Sequence, residues 1–213
     1  MYARSIKDQT ITLAVSGMLW SRSLVMVDSE TGSLWSHLLG EAMHGKLLGE
    51  HLEQLPAIMT DWQTWRATHP KTTVLNMTPT TQMFRREIYQ NPDRYVVGIV
   101  EGERARAWPY GQHHKQAIVN DQFGQRPLVV VFEPKSSTAF LYERKTGDQT
   151  LTFELREDKL VDRQTGSEWD VRTGQSSNGS LKGTQLKPAL GIVSFRNTWE
   201  VFHPESEYWE AER

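Results

Sequence analysis

Short apolar or alternating segments, each bounded by turn residues, predict β-strands along most of the chain. Five such segments are "TITLAVSG", "SLVMVDS", "TAFLYER", "LTFELRE" and "KLVDRQ". Their length, and the Gly, Asp, Ser and Thr residues that bound them, are typical of strands. Residues 96–141 add two hairpins, "YVVGIVEGERARAWPY" with its turn at Glu101-Gly102 and "FGQRPLVVVFEP". The pattern therefore favours short antiparallel strands.

Helical spacing is confined to a few segments. A helix over 59–69 would end against a proline, and "SFRNTWEVFHP" places Phe195, Trp199 and Phe202 on one helix face. The other predicted helices cover residues 34–43, residues 79–90 and the short stretch "HHKQAIVND". Together with the strands, these segments predict a β-rich α+β fold.

The chain repeats one sequence pattern at a shift of 134 residues. Asp28, Thr31-Gly32-Ser33 and Trp35 correspond to Asp162, Thr165-Gly166-Ser167 and Trp169. The match continues without a gap through Gly40/Gly174, Gly45/Gly179, Leu47/Leu181, Gly49/Gly183, Leu52/Leu186, Trp65/Trp199 and His69-Pro70/His203-Pro204. A period of this length is too long for a solenoid or a propeller blade. It indicates two related half-domains.

The repeat also suggests where each unit begins. Upstream of the shared pattern, "YARSIKDQTITL" matches "YERKTGDQTLTF" at a shift of 140. The shift differs from 134 because the segment "AVSGMLWSRSL" is predicted to form a longer loop than its counterpart "ELREDK". We predict a first unit over 1–75, a connector over 76–95 and a complete second unit over 96–213. The two hairpins at the front of the second unit have no counterpart ahead of the first. We expect the first unit to lack its front half.

Composition excludes several classes of function. The 213 residues include 24 Lys and Arg and 26 Asp and Glu, for a net charge of −2, and the two signs are interspersed. This balance does not favour nucleic acid as a partner. No apolar run approaches the length of a membrane span, so none is expected. The chain has no cysteine, which excludes disulfides, thiolate metal sites and cysteine nucleophiles.

The repeated tryptophan is the most distinctive candidate site residue. Trp35 and Ser36 can contact a ligand, with Glu41 or His44 as the catalytic acid or base. The alternative is that Thr-Gly-Ser forms a turn and each tryptophan fills the core of its unit, with its indole N–H bonded to a backbone carbonyl. Only the first copy has Glu41 and His44, so a single asymmetric site in one copy is also consistent with the repeat.

His113 and His114 are the candidate metal ligands, and Asp121 is a candidate ligand-binding residue beside them. Neutral imidazoles and a carboxylate suit a divalent metal. Adjacent helical positions point in different directions, however, which favours a solvated helix followed by a structural turn. Familiar phosphate-binding, dinucleotide-binding, hydrolase and zinc-protease motifs are absent from the sequence.

The pairs His69-Pro70 and His203-Pro204 follow Trp65 and Trp199 by four residues. On a helix this spacing lets each imidazole pack on its indole. A histidine at the end of a helix is favoured by the negative end of the helix dipole, so a structural role is expected for both.

An ordered series of motifs resembles the bacterial and archaeal domain-of-unknown-function 3179 family. The motifs are "VVGIVEGERARAWPY", "AIVND", "LVVVF", "LTF", "DRQTGSEWD", "LKGTQL" and W-x-x-F-H-P, together with the segment "VSGMLWSRSLVMVDSETGSLWSHLLGEAMHGKLLGEHLEQLP". The resemblance implies two such units, an extracytoplasmic location and no assigned activity. It also implies a C-P-x-C segment just ahead of the strand that "YARS" continues, and the second-unit counterpart here, "FEPKSSTAF", has serines and a lysine instead.

Two classes of function remain open. The first is a binding or structural module in which the two halves hold a small ligand, with a homodimer formed through the sheet edge that a missing front half would expose. The second is a metal-dependent or acid/base enzyme whose site lies between the halves, near Glu41, His44, His113, His114 and Asp121.

Overall fold

A computed structural model describes residues 1–74, 87–112, 115–157 and 159–211, and strands predominate in it. The predicted β-rich α+β class is confirmed. The strands are β1 (Ser5–Ile6), β2 (Gln9–Thr10), β3 (Leu13–Trp20), β4 (Ser23–Asp28), β5 (Leu34–Ser36), β6 (Ala42–His44), β7 (Tyr95–Glu101), β8 (Arg104–Pro109), β9 (Ile118–Phe123), β10 (Arg126–Glu133), β11 (Thr138–Glu143), β12 (Lys145–Thr146), β13 (Gln149–Thr150), β14 (Phe153–Arg156), β15 (Lys159–Asp162), β16 (Glu168–Trp169), β17 (Ser176–Asn178), β18 (Ile192–Phe195) and β19 (Glu207–Tyr208). The helices are α1 (Trp62–Thr68), α2 (Glu87–Gln90) and α3 (Arg196–Phe202), with 3-10 turns at Pro92–Arg94 and Tyr110–Gln112.

These strands form small sheets that are antiparallel except where β19 pairs with β8 in parallel. Each unit has a meander of four strands, in the order β3-β4-β5-β6 in the first and β14-β15-β16-β17 in the second, and a two-stranded ribbon, β1-β2 or β12-β13. The second unit also has the sheets β11-β10-β9 and β18-β7-β8-β19. Within the described residues, the first unit contains no counterpart of β7 to β10.

The internal duplication extends to individual hydrogen bonds. The Tyr2 hydroxyl donates to the carbonyl of Leu38, and the matching Tyr142 hydroxyl donates to the carbonyl of Arg172, 134 residues after Leu38. The indole N–H groups of Trp65 and Trp199 donate to matched hydroxyls, those of Thr72 and Ser206. The two copies therefore share a fold in detail.

Helices α1 and α3 occupy matched positions, and both predicted segments contain a helix. Helix α1 begins at Trp62, later than residue 59, because the Asp61 carboxylate accepts a hydrogen bond from the Thr64 N–H at 2.8 Å and caps the helix. His69 and His203 are the C-caps. Each imidazole packs on the preceding tryptophan as predicted, with ring centroids 3.9 Å apart for His69 and 4.3 Å for His203.

Two of the helix predictions were wrong. Residues 34–43 contain β5 and β6, because Trp35 lies in a strand paired with β4 on one side and β6 on the other. The tight connection between these strands turns at Gly40, which has a φ of 67°. In the "HHKQAIVND" segment, residues 118–121 lie in β9, whose pairing with β10 overrides the local pattern, and His113 and His114 lie outside the described residues. Of the helix predicted over 79–90, only α2 lies within the described residues.

The two units differ in what covers their cores. In the second unit, Leu151, Phe153, Leu160, Trp169 and Leu186 pack against apolar side chains of the β9-β10-β11 sheet, namely Ile118, Val129, Val131, Phe140 and Tyr142. The matching first-unit core, Ile6, Ile11, Met26, Trp35, Ala42 and Leu52, is completed instead by the partly buried side chains Tyr2, Leu13, Leu24 and Leu47. The first unit is therefore the more open of the two.

The matched helices show the same difference. Trp199 is fully buried against β7, where a Cβ on Gly98 would overlap the indole ring. Trp65 is only partly buried, since the described residues of its own unit include no counterpart of β7 for α1 to pack on. One helix is thus packed into a core, while the other faces the boundary between the units.

We expect the substitution Gly98→Ala to destabilise the protein by about 1–3 kcal/mol, because the added methyl overpacks the site of Trp199. Urea unfolding followed by circular dichroism measures this change. The double variant Gly98→Ala, Trp199→Phe should recover part of the loss, since the smaller ring makes room for the methyl. Equal unfolding midpoints for Gly98→Ala and wild type would contradict this packing.

Candidate functional site

Trp35 lies in a closed polar cluster inside the first-unit core. Its indole N–H donates to the Asp28 carboxylate at 2.9 Å, and the side chain is fully buried. The same carboxylate accepts bonds from the Thr31 N–H and hydroxyl at 2.5 and 2.9 Å and from the Ser33 N–H at 3.1 Å. The indole partner is therefore a carboxylate, and the expected backbone carbonyl was wrong.

The second unit repeats this cluster. The Trp169 indole donates to the Asp162 carboxylate at 2.9 Å, and the Thr165 N–H donates to it at 2.6 Å. Gly45 and Gly179 close on Ser33 and Ser167, leaving no room for a Cβ. A cluster whose indole–carboxylate bond and Thr-to-carboxylate bonds recur in both copies, and which its own side chains fill, favours the core-packing interpretation of the tryptophans.

The charge of Asp28 is stabilised by these hydrogen bonds. Burial alone raises the pKa of this carboxyl, but the bonds from Trp35, Thr31 and Ser33 together outweigh burial and leave the pKa below its ordinary value. The carboxylate is therefore a charged acceptor near neutral pH that fixes the turn between β4 and β5.

Ser36 is also buried. Its backbone N–H donates to the Glu41 carbonyl at 2.8 Å, and its hydroxyl accepts from the Leu39 N–H at 3.3 Å. Neither Trp35 nor Ser36 lines any of the cavities described below. This geometry does not support the predicted ligand contacts of these two residues, which stay predictions.

Glu41 lines a cleft of about 530 Å³ between the units. Its carboxylate lies 3.6 Å from the Nε2 of His51, and the second unit contributes Glu103, His203 and Glu205. Burial lowers the pKa of His203, and its Nε2 has no hydrogen-bond partner among the described residues. His44 is exposed on β6 and does not line the cleft. The imidazole beside Glu41 is thus His51, and the predicted acid/base roles of Glu41 and His44 stay predictions.

Asp121 is held in a network of its own. Arg106 donates to both of its carboxylate oxygens, at 2.7 and 3.0 Å, and the Trp108 indole donates to one of them at 2.8 Å. Arg106 also donates to Glu207 at 2.7 Å, which joins β8, β9 and β19. This bidentate arrangement satisfies the carboxylate and indicates a structural role.

His113 and His114 lie outside the described residues, so their predicted metal role stays a prediction. Across the part of the chain that the structure describes, there is no group of three or more His, Asp or Glu side chains placed to hold a metal ion.

Two further cavities lie between the units, of about 390 and 360 Å³. They share Met1, Ala57, Ile58, Gly191 and Val193, and therefore adjoin. The first also borders Arg22, His37, Tyr95 and Phe195, and the second borders Trp65, His69, Leu141 and Arg172. Their walls are predominantly apolar, as in small-molecule pockets.

The sequence indicated some of these residues only as structural elements. Trp65 and His69 were predicted to lie at the end of a helix. The structure shows that they also line a cavity. No sequence motif singles out His51 or Arg22. His51 meets Glu41 through a contact within the first unit, and Arg22 borders a cavity that second-unit residues complete.

None of the helices in the described residues has the length and apolar character needed to cross a membrane.

Comparison with known families gives two overlapping matches. The model of a family described as "Protein of unknown function (DUF3179)" matches residues 1–94 and again residues 78–210. Two matches to one family model agree with the repeated unit seen in the structure. Neither the curated proteins nor the solved structures gave a match.

We expect Asp28→Asn to lower the free energy of unfolding by about 1–3 kcal/mol near neutral pH, because it removes a charged acceptor of several bonds. The folded pKa of Asp28 is lowered, so its contribution is full above the unfolded pKa and is lost as the pH falls through the folded pKa.

Urea titrations at about pH 7 and about pH 2 measure this effect, since the gap between wild type and variant should shrink in acid. Asp8→Asn, at an exposed position, is the matched control and should show little change at either pH. A gap of equal size at both pH values would contradict the role of the Asp28 charge.

Proposed function

Because this chain belongs to the DUF3179 family of proteins of unknown function, we propose from its geometry that it is a binding module that associates with a second copy of itself. The proposed contact is the free edge of β3 in the first unit. The supporting observation is that the matching strand of the second unit, β14, is covered by β9, whereas β3 has no such cover among the described residues.

The covering contact in the second unit is a pair of hydrogen bonds to the strand backbone. The Asn120 carboxamide on β9 accepts from the Phe153 N–H and donates to the Phe153 carbonyl, each at 2.7 Å. Phe153 corresponds to Leu13 on β3. The Asp28 N–H, opposite Leu13, donates away from β3 to the Ser33 carbonyl. In an antiparallel ladder this leaves the Leu13 N–H and carbonyl directed to the free edge.

The side chains of β3 provide no protection against pairing. Its eight residues, "LAVSGMLW", include no charge and no proline, and Val15 and Leu19 are each 70% exposed. The sequence of β14 is "FELR", which carries Glu154 and Arg156. Uncharged exposed edges pair with other strands unless they are blunted. The bulge between Val15 and Leu19 makes the segment 13–15 the regular part of this edge.

A second copy satisfies this edge with the same groups. Two β3 strands can pair antiparallel about a two-fold axis, which is the commonest symmetry of soluble homo-oligomers. Pairing of this kind joins the two four-stranded meanders into one sheet and covers the partly exposed Leu13. The proposal includes the unit boundaries, with units over 1–75 and 96–213 and a connector over 76–95.

A second candidate function is acid/base or metal-dependent catalysis at the cleft that contains Glu41. The specific observation that favours it is the contact of Glu41 with His51, opposite His203. Elemental analysis by mass spectrometry, on the wild type and on the His113→Ala, His114→Ala double variant, tests the metal. Stoichiometric metal lost in the variant would support catalysis, and a metal-free wild type would remove the metal-dependent form.

The homodimer is tested by sedimentation velocity. We expect the wild type to be dimeric at about 100 μM and Val15→Lys to weaken association at least about tenfold, because like charges then meet at the strand edge. Leu155→Lys is the matched control, since Leu155 occupies the corresponding position on β14 and is 52% exposed. It should remain dimeric. A monomeric wild type, or equal effects of the two variants, would overturn the proposal.

A further inference from the structure

We propose that the adjoining cavities between the two units form one groove that binds an amphipathic organic anion. The apolar body of this ligand lies between α1 and the second-unit strands, and its anionic group is bound by Arg22. This inference concerns a different surface from the β3 edge and does not depend on dimerisation.

The groove runs along the boundary between the units. Its shared centre consists of Met1, Ala57 and Ile58 from the first unit and Gly191 and Val193 from the second. Trp65 and His69 lie toward one end, and Tyr95 and Phe195, with ring centroids 4.7 Å apart, lie toward the other. An elongated groove with aliphatic walls and aromatic side chains at its ends fits an extended apolar molecule, and each cavity is of small-molecule size.

The repeat explains why the groove lies beside α1, whereas the corresponding space beside α3 is filled. In the second unit, Trp199 fills the corresponding space against Gly98 and is fully buried. In the first unit, Trp65 instead faces a cavity bordered by Leu141 and Val97 of the other unit. The same helix therefore packs a core in one copy and walls a groove in the other.

Charge selects the class of ligand. No carboxylate side chain is among the residues that border the two cavities, and the charged groups there are the side chains of Arg22 and Arg172 and the α-amino group of Met1. Arg172 is neutralised by Glu133, with the Nη2 2.8 Å from the carboxylate. Arg22 is exposed and forms no hydrogen bond or ion pair with any other described residue. A guanidinium at an otherwise apolar groove complements a carboxylate, sulfonate or phosphate.

Arg22 occupies a turn position whose backbone conformation favours other residue types. Ser21 and Arg22 form the two-residue connection of the β3-β4 hairpin with φ values of 47° and 67°. Such turns favour Asn and Gly, since other side chains are strained at positive φ. Strained residues of this kind concentrate at functional sites. The turn also packs on the second unit, where the Thr198 hydroxyl donates to the Ser21 carbonyl at 3.3 Å.

The test uses two fluorescent probes of similar shape and different charge. The first is 1-anilinonaphthalene-8-sulfonate, an amphipathic anion, and the second is N-phenyl-1-naphthylamine, its uncharged analogue. We expect saturable binding of the anion at one site per chain, with weaker binding of the neutral probe. Binding to the folded state alone should also raise the thermal midpoint as the anion concentration increases.

Variants separate the two parts of the site. Arg22→Asn removes the charge and suits the positive φ, so the fold is retained. It should weaken binding of the anionic probe about tenfold and leave the neutral probe unchanged within about twofold. Ala57→Trp, at the exposed centre of the groove, should weaken both probes. Its matched control is Ala67→Trp, on an exposed position of α1 that does not border the groove.

Two further controls address binding elsewhere on the surface. Arg4→Asn removes another exposed arginine and should leave both affinities unchanged. Val15→Lys alters the apolar β3 edge and should do the same, so failure of the dimer and failure of the groove are distinguishable. Absence of saturable binding, equal losses in Ala57→Trp and Ala67→Trp, or an Arg22→Asn variant that binds the anion like the wild type would each overturn the proposal.

Discussion

Each half of this protein depends on a buried carboxylate that accepts a tryptophan indole and the N–H groups of the adjacent turn. Asp28 performs this role for Trp35, and Asp162 for Trp169, each at 2.9 Å. A buried charge is tolerated only when its hydrogen bonds replace those of water. The acceptor and the indole lie on neighbouring strands of one meander. Their hydrogen bond therefore fixes the register of these two strands and holds the tryptophan, the largest side chain of the core, in place. The remainder of each unit packs around this arrangement.

The same unit occurs here in two environments, and the difference between them generates the surfaces available for function. In the second unit, the β9-β10-β11 sheet covers the meander, and the exposed backbone of β14 is satisfied by a carboxamide. In the first unit, no described residue covers the outer edge of β3, and α1 faces the boundary between the halves. Duplication thus supplies two copies of one scaffold, which differ in how the described residues cover them.

The sequence predicted those features that are encoded locally or by the repeat. Thr-Gly-Ser turns, short apolar runs and the 134-residue shift were sufficient for the strands and the duplication, because turn residues and strand periodicity act over a few positions. Asp28 could also have been predicted as the hydrogen-bond acceptor of Trp35, because both residues recur in the repeat, as Asp162 and Trp169. The helix expected over 34–43 was wrong because pairing on both sides of β5 overrides a weak local preference.

The candidate sites were harder to predict because they form between segments distant in sequence. Glu41 contacts His51 across a connection between strands, and Arg106 reaches Asp121 only because residues 118–123 form a strand rather than a helix. Arg22 borders a cavity only because a hairpin turn of the first unit meets the second unit. Interactions within each unit determine its fold, whereas contacts between the two units determine the clefts. The side chains that line the clefts can therefore differ between the copies while both copies keep the same fold. Arg22, which has no ion-pair partner in the part of the chain that the structure describes, and Arg172, which is paired with Glu133, border adjoining cavities and illustrate that freedom.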